Sequence, residues 1–448
     1  MYNSGQLLLF PSLRGKEIVA DFNGGRISSD GGLLLLKQLD EKLGLTSSLS
    51  SCIVDCRQKS KVKQTVQDML RQRIFGIACG YEDCNDFDTL CSDPLFKLAA
   101  DRRPATDSDL ASQPTLSRLE NSITTSDLRN MSERIVDLFL DRYRGREPEQ
   151  IVFDLDATDD PAHGQQEFEF YHGYYGHHCF LPLLAYATVD DGEQELLAAV
   201  LRPGNKHAGY GSVSILCRIF RKLKAAFPNC RFIVRGDAGF ALPKLYDWCE
   251  SNDVEYVISL AKNSRLIDLS KCFENEARKL YAQSKEKVRH FAEMLYAANS
   301  WPKLRRVIVK AEMTSQGYNP RFVVTNLPGD DPLLDMPEKV YDYYTQRGDV
   351  ENRIKELKID LLSGRTSCHR FLANQFRLLL HAAAFILLQQ LRLLLISTQG
   401  EIWQASTLRT KLLKVGALVT ESVRRIVIKL PSSYPYKKLW QHLAAQLE

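Results

Sequence analysis

The chain has 448 residues, of which 44% are apolar, and carries a formal net charge of +4. Such a length accommodates two to four domains with sizeable cores, and an apolar fraction of this size excludes a disordered or fibrous chain. The net charge is too small to point to a polyanion, but its distribution is uneven: after residue 340 there are sixteen Lys and Arg against eight Asp and Glu, so the first 340 residues carry −4. A basic carboxyl-terminal quarter suits a nucleic-acid partner.

Residues 1–148 read as mainly helical, with charged and apolar residues alternating at helical spacing over 61–75 and 127–143, and turns at Gly24-Gly25 and Gly31-Gly32. Leu7-Leu8-Leu9-Phe10 is too short for a secretory core and is followed by Pro11, so no secretory segment is expected. Ile151-Val152-Phe153-Asp154-Leu155-Asp156-Ala157-Thr158 then alternates like a strand, with Asp154 and Asp156 on one face. Hairpin strands are predicted near 180–188 and 194–202, a helix near 209–226, a strand at 231–236 that ends in Asp237 and a Gly-containing turn, a helix near 243–252 and a strand at 254–260. Strands followed by helix–strand alternation indicate an α/β core. The 114 positions from Asp237 to Glu351 exceed the needs of one helix and one strand. Leu304 to Glu312 and Arg321 to Asn326 are β-rich and flank Gly317-Tyr318-Asn319-Pro320, so a hairpin-bearing insertion is expected at about 262–335. Its Trp301, Tyr318, Lys303, Arg305, Arg306 and Lys310 are candidates for base stacking and backbone contact, with core packing the favoured role for Trp301.

Farther on, Tyr344, Arg347, Glu351 and Lys358 are spaced by three, four and seven residues. On one helix they share an arc of about 60°, beside an apolar stripe of Val350, Ile354, Leu357 and Leu361. Lys355 stays on the polar stripe; Glu356 is rotated off it by about 140°. The apolar stretch from Leu378 to Ile396 is interrupted by His381, Gln389, Gln390 and Arg392 and reads as a buried core helix. Basic segments at 409–414 and 424–429 are expected to be helical. The eleven cysteines contain no Cys-x2-Cys pair and are expected to be reduced thiols of a cytosolic protein. His172, His177 and His178, interleaved with Tyr171, Tyr174 and Tyr175, form a polar loop with some capacity to contact DNA or metal.

An acid at the carboxyl end of a strand projects into the crevice where open α/β sheets bind ligands. Three carboxylates brought together repel unless a cation neutralises them, and hard oxygen donors suit Mg²⁺ or Mn²⁺. Two such ions support in-line phosphoryl displacement, so cleavage or transfer of a phosphodiester is the reaction class. Asp154 competes with Asp156 for the first position, as do Asp159 and Asp160, and periodicity does not separate Asp154 from Asp156.

Asp156-Ala157-Thr158, Asp237-Ala238-Gly239-Phe240 and Tyr344-x2-Arg347-x3-Glu351-x6-Lys358 resemble the three signatures of DDE-type insertion-sequence transposases with the Y-R-E-K subpattern. The stretches 22–32 and 156–164 resemble the group numbered thirteen-eighty in insertion-sequence nomenclature, and the resemblance runs over essentially the whole chain. It implies an RNase H-like catalytic core with a β-rich insertion, a mainly helical N-terminal domain and a basic helical C-terminal tail. It implies Asp156, Asp237 and Glu351 as the catalytic, metal-binding triad for two Mg²⁺ or Mn²⁺ ions. Tyr344, Arg347 and Lys358, with Lys355, would hold DNA phosphates. The corresponding segments are 1–148 for binding the element's ends, 149–261 and 336–398 for the core, 262–335 for the insertion and 399–448 for the tail. The expected partners are inverted-repeat ends and target DNA, with a homodimer in the DNA complex, no membrane and no nucleotide cofactor. A cytoplasmic, nucleoid-associated bacterial protein follows. The alternatives are an RNase H-like metal-dependent nuclease and a domesticated DNA-binding protein without catalysis.

Overall fold

The computed structural model describes residues 8–329, 334, 336–400 and 402–448. The chain forms two compact units, one of residues 1–120 with 383–448 and the other of residues 121–382.

The second unit is built on a nine-stranded sheet. Its principal strands are β1 (Gln150–Ala157), β2 (Leu183–Val189), β3 (Glu195–Val200), β4 (Arg231–Gly236), β5 (Glu255–Leu260), β6 (Val288–Tyr296), β7 (Arg305–Thr314) and β8 (Arg321–Thr325). They run in the order β6-β7-β8-β5-β4-β1-β2-β3, and the short Gly317–Tyr318 strand pairs with β7. β1, β4 and β5 are parallel neighbours, whereas β1-β2-β3 form an antiparallel meander. The β-rich runs at 304–312 and 321–326 fall in β7 and β8, and β8 pairs with β5, so this hairpin extends the same sheet. β6, which the sequence reading did not separate, forms its outer edge.

The central strands are apolar at consecutive positions because both faces are covered. Phe153, Phe232, Val234 and Ile258 face helices α1 (Thr125–Arg142), α2 (Ser212–Ala226) and α3 (Pro243–Ser251) through Phe139, Leu216, Leu223 and Leu245. The alternate residues Val152, Ile233 and Val257 meet Val340 and Tyr341 on the opposite face. α1 starts at a capping box in which Thr124 and Asp127 satisfy each other's backbone N–H groups.

The predicted single helix through 344–358 is instead broken. α4 (Pro337–Thr345) ends before Gln346, α5 (Gly348–Lys355) restarts at a poor helix former, and Glu356–Asp360 is a wider π-helical turn. The extra residue in that turn changes the phase of the helix. Glu356, expected off the stripe, is buried against Arg353, and Lys358 is rotated toward the end of β1.

Helix α6 (Phe371–Gln399) is long and apolar enough to cross a membrane by length and composition, but 83% of its most apolar window is buried inside the protein, as in a core helix.

The first unit combines helices at 33–43, 45–51, 66–79 and 437–447 with short strands. One correction to the expected helical tail is plain: Ala417–Glu421 and Ile426–Lys429 form a hairpin whose first strand also pairs with Arg26–Ser28. Ile426, Val427 and Ile428 are β-branched and find a ladder there, a tertiary option that local spacing does not reveal. The Gly31-Gly32 turn is required by close approach, since a Cβ on Gly32 would lie 2.2 Å from the Leu412 carbonyl oxygen.

Candidate active site

The two acids of β1 have different surroundings. Asp154 is 0% exposed and receives a bidentate pair from Arg235 of β4, with Nε and Nη2 each 2.7 Å from a carboxylate oxygen. Arg235 also donates to the Tyr343 carbonyl at 2.9 Å, which ties the sheet to α4. Asp154 is therefore taken up by an ion pair inside the fold. Asp156 emerges two residues later at the carboxyl end of the strand, where its side chain is 15% exposed. Burial, and the like charges of Asp237 and Glu351, push its pKa up to about 6 against the pull of Arg347.

Asp237 stands beside Asp156 because β1 and β4 are parallel, with Gly236 paired to Leu155. Its backbone leaves the strand extended and its Oδ1 caps the next turn by accepting from the Gly239 N–H at 2.9 Å. Only glycine fits at position 239, where a Cβ would lie 2.6 Å from Ala208 Cβ.

Glu351, on α5, is 71% exposed. Arg347, buried just before α5, bridges the two sides: its Nη2 donates to Asp156 at 2.6 Å and its Nη1 lies 3.7 Å from Glu351. Among the described residues no three His, Cys, Asp or Glu side chains are gathered closely enough to hold a metal ion. The donor chemistry nevertheless fits a hard divalent cation. Three carboxylates share one field, one of them is pushed toward its neutral form by burial and, less, by the others, and a guanidinium supplies the balancing charge.

The other predicted contacts are distributed around this centre. Lys358 donates to Thr158 Oγ1 (3.0 Å), the Asp159 carbonyl (2.8 Å) and Asp159 Oδ1 (2.7 Å), so it pins the turn after β1. Lys355 is exposed, and Tyr344 is half-buried with its ring 6.0 Å from that of Tyr341. Of the competing acids, Asp159 opposes Lys358 and lies 3.1 Å from His177 Nε2; burial would raise its pKa, but Lys358 holds it below the usual range. Asp160 is buried, accepts from Thr366 Oγ1 at 2.8 Å, and burial pushes its pKa up to about 8.

Trp301 sits between Tyr246 and Tyr296, 5.2 and 5.4 Å away, half-buried against the core. The neighbouring cations are likewise engaged: Lys303 and Arg305 with Glu250, Arg306 with Glu293, and Lys310 with Glu312. The sequence reading missed Arg235 and the pinning role of Lys358; their partners lie 81 and 199 positions away, and no local signal marks them.

Acids at the ends of adjacent parallel strands therefore share an electrostatic neighbourhood with a third on a helix. The chain belongs to the family described as Transposase DDE domain group 1, which matches residues 10–448. That family comprises DNA-cleaving enzymes that generally use divalent metal ions. Among solved structures, the chain is similar to a piggyBac transposase synaptic complex with hairpin DNA determined by cryo-EM, at 14% identity and a TM-score of 0.43, over 86% of this chain and 80% of that one. No curated protein matches the chain.

Proposed function

We propose that this transposase binds the terminal inverted repeats of its own insertion sequence, cleaves phosphodiester bonds there and joins the freed 3′ ends to target DNA. The observation that carries the reading is the shared electrostatic neighbourhood of Asp156, Asp237 and Glu351, balanced by Arg347. The strand order β3-β2-β1-β4-β5, an antiparallel meander followed by parallel strands, supports an RNase H-like core, and the Tyr344, Arg347, Glu351 and Lys358 spacing supports the thirteen-eighty group.

In this reading Asp156, Asp237 and Glu351 hold two Mg²⁺ or Mn²⁺ ions. Bound there, the ions lower the pKa of the attacking oxygen and neutralise the leaving one. The protein's own contribution is placement. The parallel β1–β4 pair fixes two acids side by side, Lys358 holds the turn behind Asp156, and α5 brings the third. Lys355 and Tyr344 face the path of the DNA backbone, and Arg347 contacts phosphate once its carboxylate partners are otherwise neutralised. Residues 1–148 bind the element's ends, 149–261 and 336–398 form the core around the 262–335 insertion, and 399–448 assist in pairing two protomers around two ends. The protein works in the bacterial cytoplasm at the nucleoid without a nucleotide cofactor.

The test is strand joining. A pre-cleaved element end with a 3′-hydroxyl, supercoiled plasmid and Mg²⁺, without ATP, should yield covalent joints made by a dimeric complex. Efficient cleavage with no joining under varied metal and target would replace this reading with a nuclease.

A further inference from the structure

Beside the carboxylates stands a small sheet that the proposed chemistry leaves unused. Asp160–Pro161, Phe170–His172 and His177–Phe180 form three antiparallel strands, and the last two are joined by a tight turn over 173–176. Its base is firmly held. Gly204 packs so close that a Cβ there would lie 1.9 Å from the Cys179 carbonyl oxygen, and Phe180 bridges to Pro203. Its tip leans over the end of β1, where the Tyr175 hydroxyl donates to the Ala157 carbonyl at 3.4 Å and His177 approaches Asp159. Burial pushes the pKa of that hydroxyl up to about 12, helped by the charges of Asp159, Asp156 and Asp237.

The outer surface of this hairpin is aromatic and open to solvent. Tyr174 is 86% exposed and Tyr171 59%, although Tyr174 stands 5.0 Å edge-on to the Tyr175 ring. The nearby acids are already engaged, Glu169 by His178 at 2.5 Å and Glu167 by the Phe371 N–H at 2.9 Å. The adjoining loop adds Lys206, 5.2 Å over the exposed Tyr210 ring. Two exposed tyrosine rings on an anchored hairpin beside the acids offer flat faces to a stacking partner.

We propose that the hairpin tip, through Tyr174 and Tyr171, stacks on unpaired bases of the DNA strand held at Asp156 and Asp237. It rests on the functional reading above and adds a single-strand platform to it. Aromatic stacking accepts any base, because every base has a π-face, and Lys206 nearby offers a cation to the phosphates. This places the stacking surface on the hairpin following the first acid and not on Trp301, whose ring packs between Tyr246 and Tyr296.

Fluorescence anisotropy with a labelled dT15 strand and a labelled 15-base-pair duplex tests it on the full chain. Tyr174→Ala should weaken dT15 binding by about 5- to 150-fold, the equivalent of one lost base stack. It should leave duplex binding and the melting temperature unchanged, and Tyr174→Phe should behave as the parent. Equal weakening on both probes, or parental dT15 affinity in Tyr174→Ala, overturns the platform. So does a Tyr174→Ala protein that loses self-association while keeping dT15 affinity, because the hairpin is then a protein contact. A parent that binds neither probe overturns the functional reading as well, whereas a parent that cleaves duplex ends yet is insensitive at Tyr174 overturns only the platform.

Discussion

Replacing Arg235 by Met tests whether the Arg235–Asp154 pair is a structural clasp. The two side chains are 4% and 0% exposed and meet through two 2.7 Å hydrogen bonds, so the substitution strands a carboxylate where water cannot reach it. Removing one partner of such a buried pair costs about 3–5 kcal/mol. With a denaturant dependence of about 3 kcal/mol/M, the urea midpoint of the second unit falls by about 1–1.7 M. Trp248 and Trp301 lie in that unit while Trp403 and Trp440 lie in the other, so a Trp403→Phe/Trp440→Phe background isolates its fluorescence transition. Burial already pushes Asp154 upward against the pull of Arg235. With the arginine gone the folded-state pKa rises further; the stability present at low pH is then lost as pH rises, and the deficit is larger at pH 8 than at pH 5. Asp154→Leu combined with Arg235→Met removes both charges and should return to within about 1–2 kcal/mol of the parent. A single variant within about 1 kcal/mol of the parent, or a double variant as unstable as the single, refutes this account.

Three further outcomes are expected. Asp156→Asn, Asp237→Asn or Glu351→Gln should each lower cleavage at least about a thousandfold while end binding in a gel-shift assay persists, because the acids serve the chemical step and affinity comes from cations. Lys355→Ala, at an exposed site, should lower the magnitude of the log-affinity slope against log salt by about 1, and an unchanged slope in a salt titration returns it to a solvated surface. Asp160→Asn should flatten the pH dependence of stability. The folded carboxyl titrates near 8, above its unfolded value, so the parent loses stability as pH rises toward 8 by up to about 1.4 kcal/mol per unit, and the amide does not. Parallel urea midpoints for the two proteins from pH 5 to pH 8 would rule this out.

The strand ends at Asp156 and Asp237 were legible in the sequence because an alternating or apolar run followed by a glycine turn is a local signal, encoded within six to ten residues. The spacing from Tyr344 to Lys358 was legible for the same reason, and of the resemblance it helped to carry, the match over residues 10–448 bears out the DDE transposase family. What periodicity left open was which acid of β1 is held inside. A period of two puts Asp154 and Asp156 on one face, and only Arg235, arriving on a parallel strand 81 positions later, takes up the first. The helix through 344–358 was straight on paper and broken in the fold, since Gly348 and the π-turn let Arg347 and Lys358 reach Asp156 and the Asp159 turn. Likewise the tail at 424–429, basic and apparently helical, forms a strand once a pairing edge is offered by 417–421. Local pattern determines the face a side chain takes; the partner that makes burying its charge tolerable comes from a distant segment, and only tertiary packing selects it.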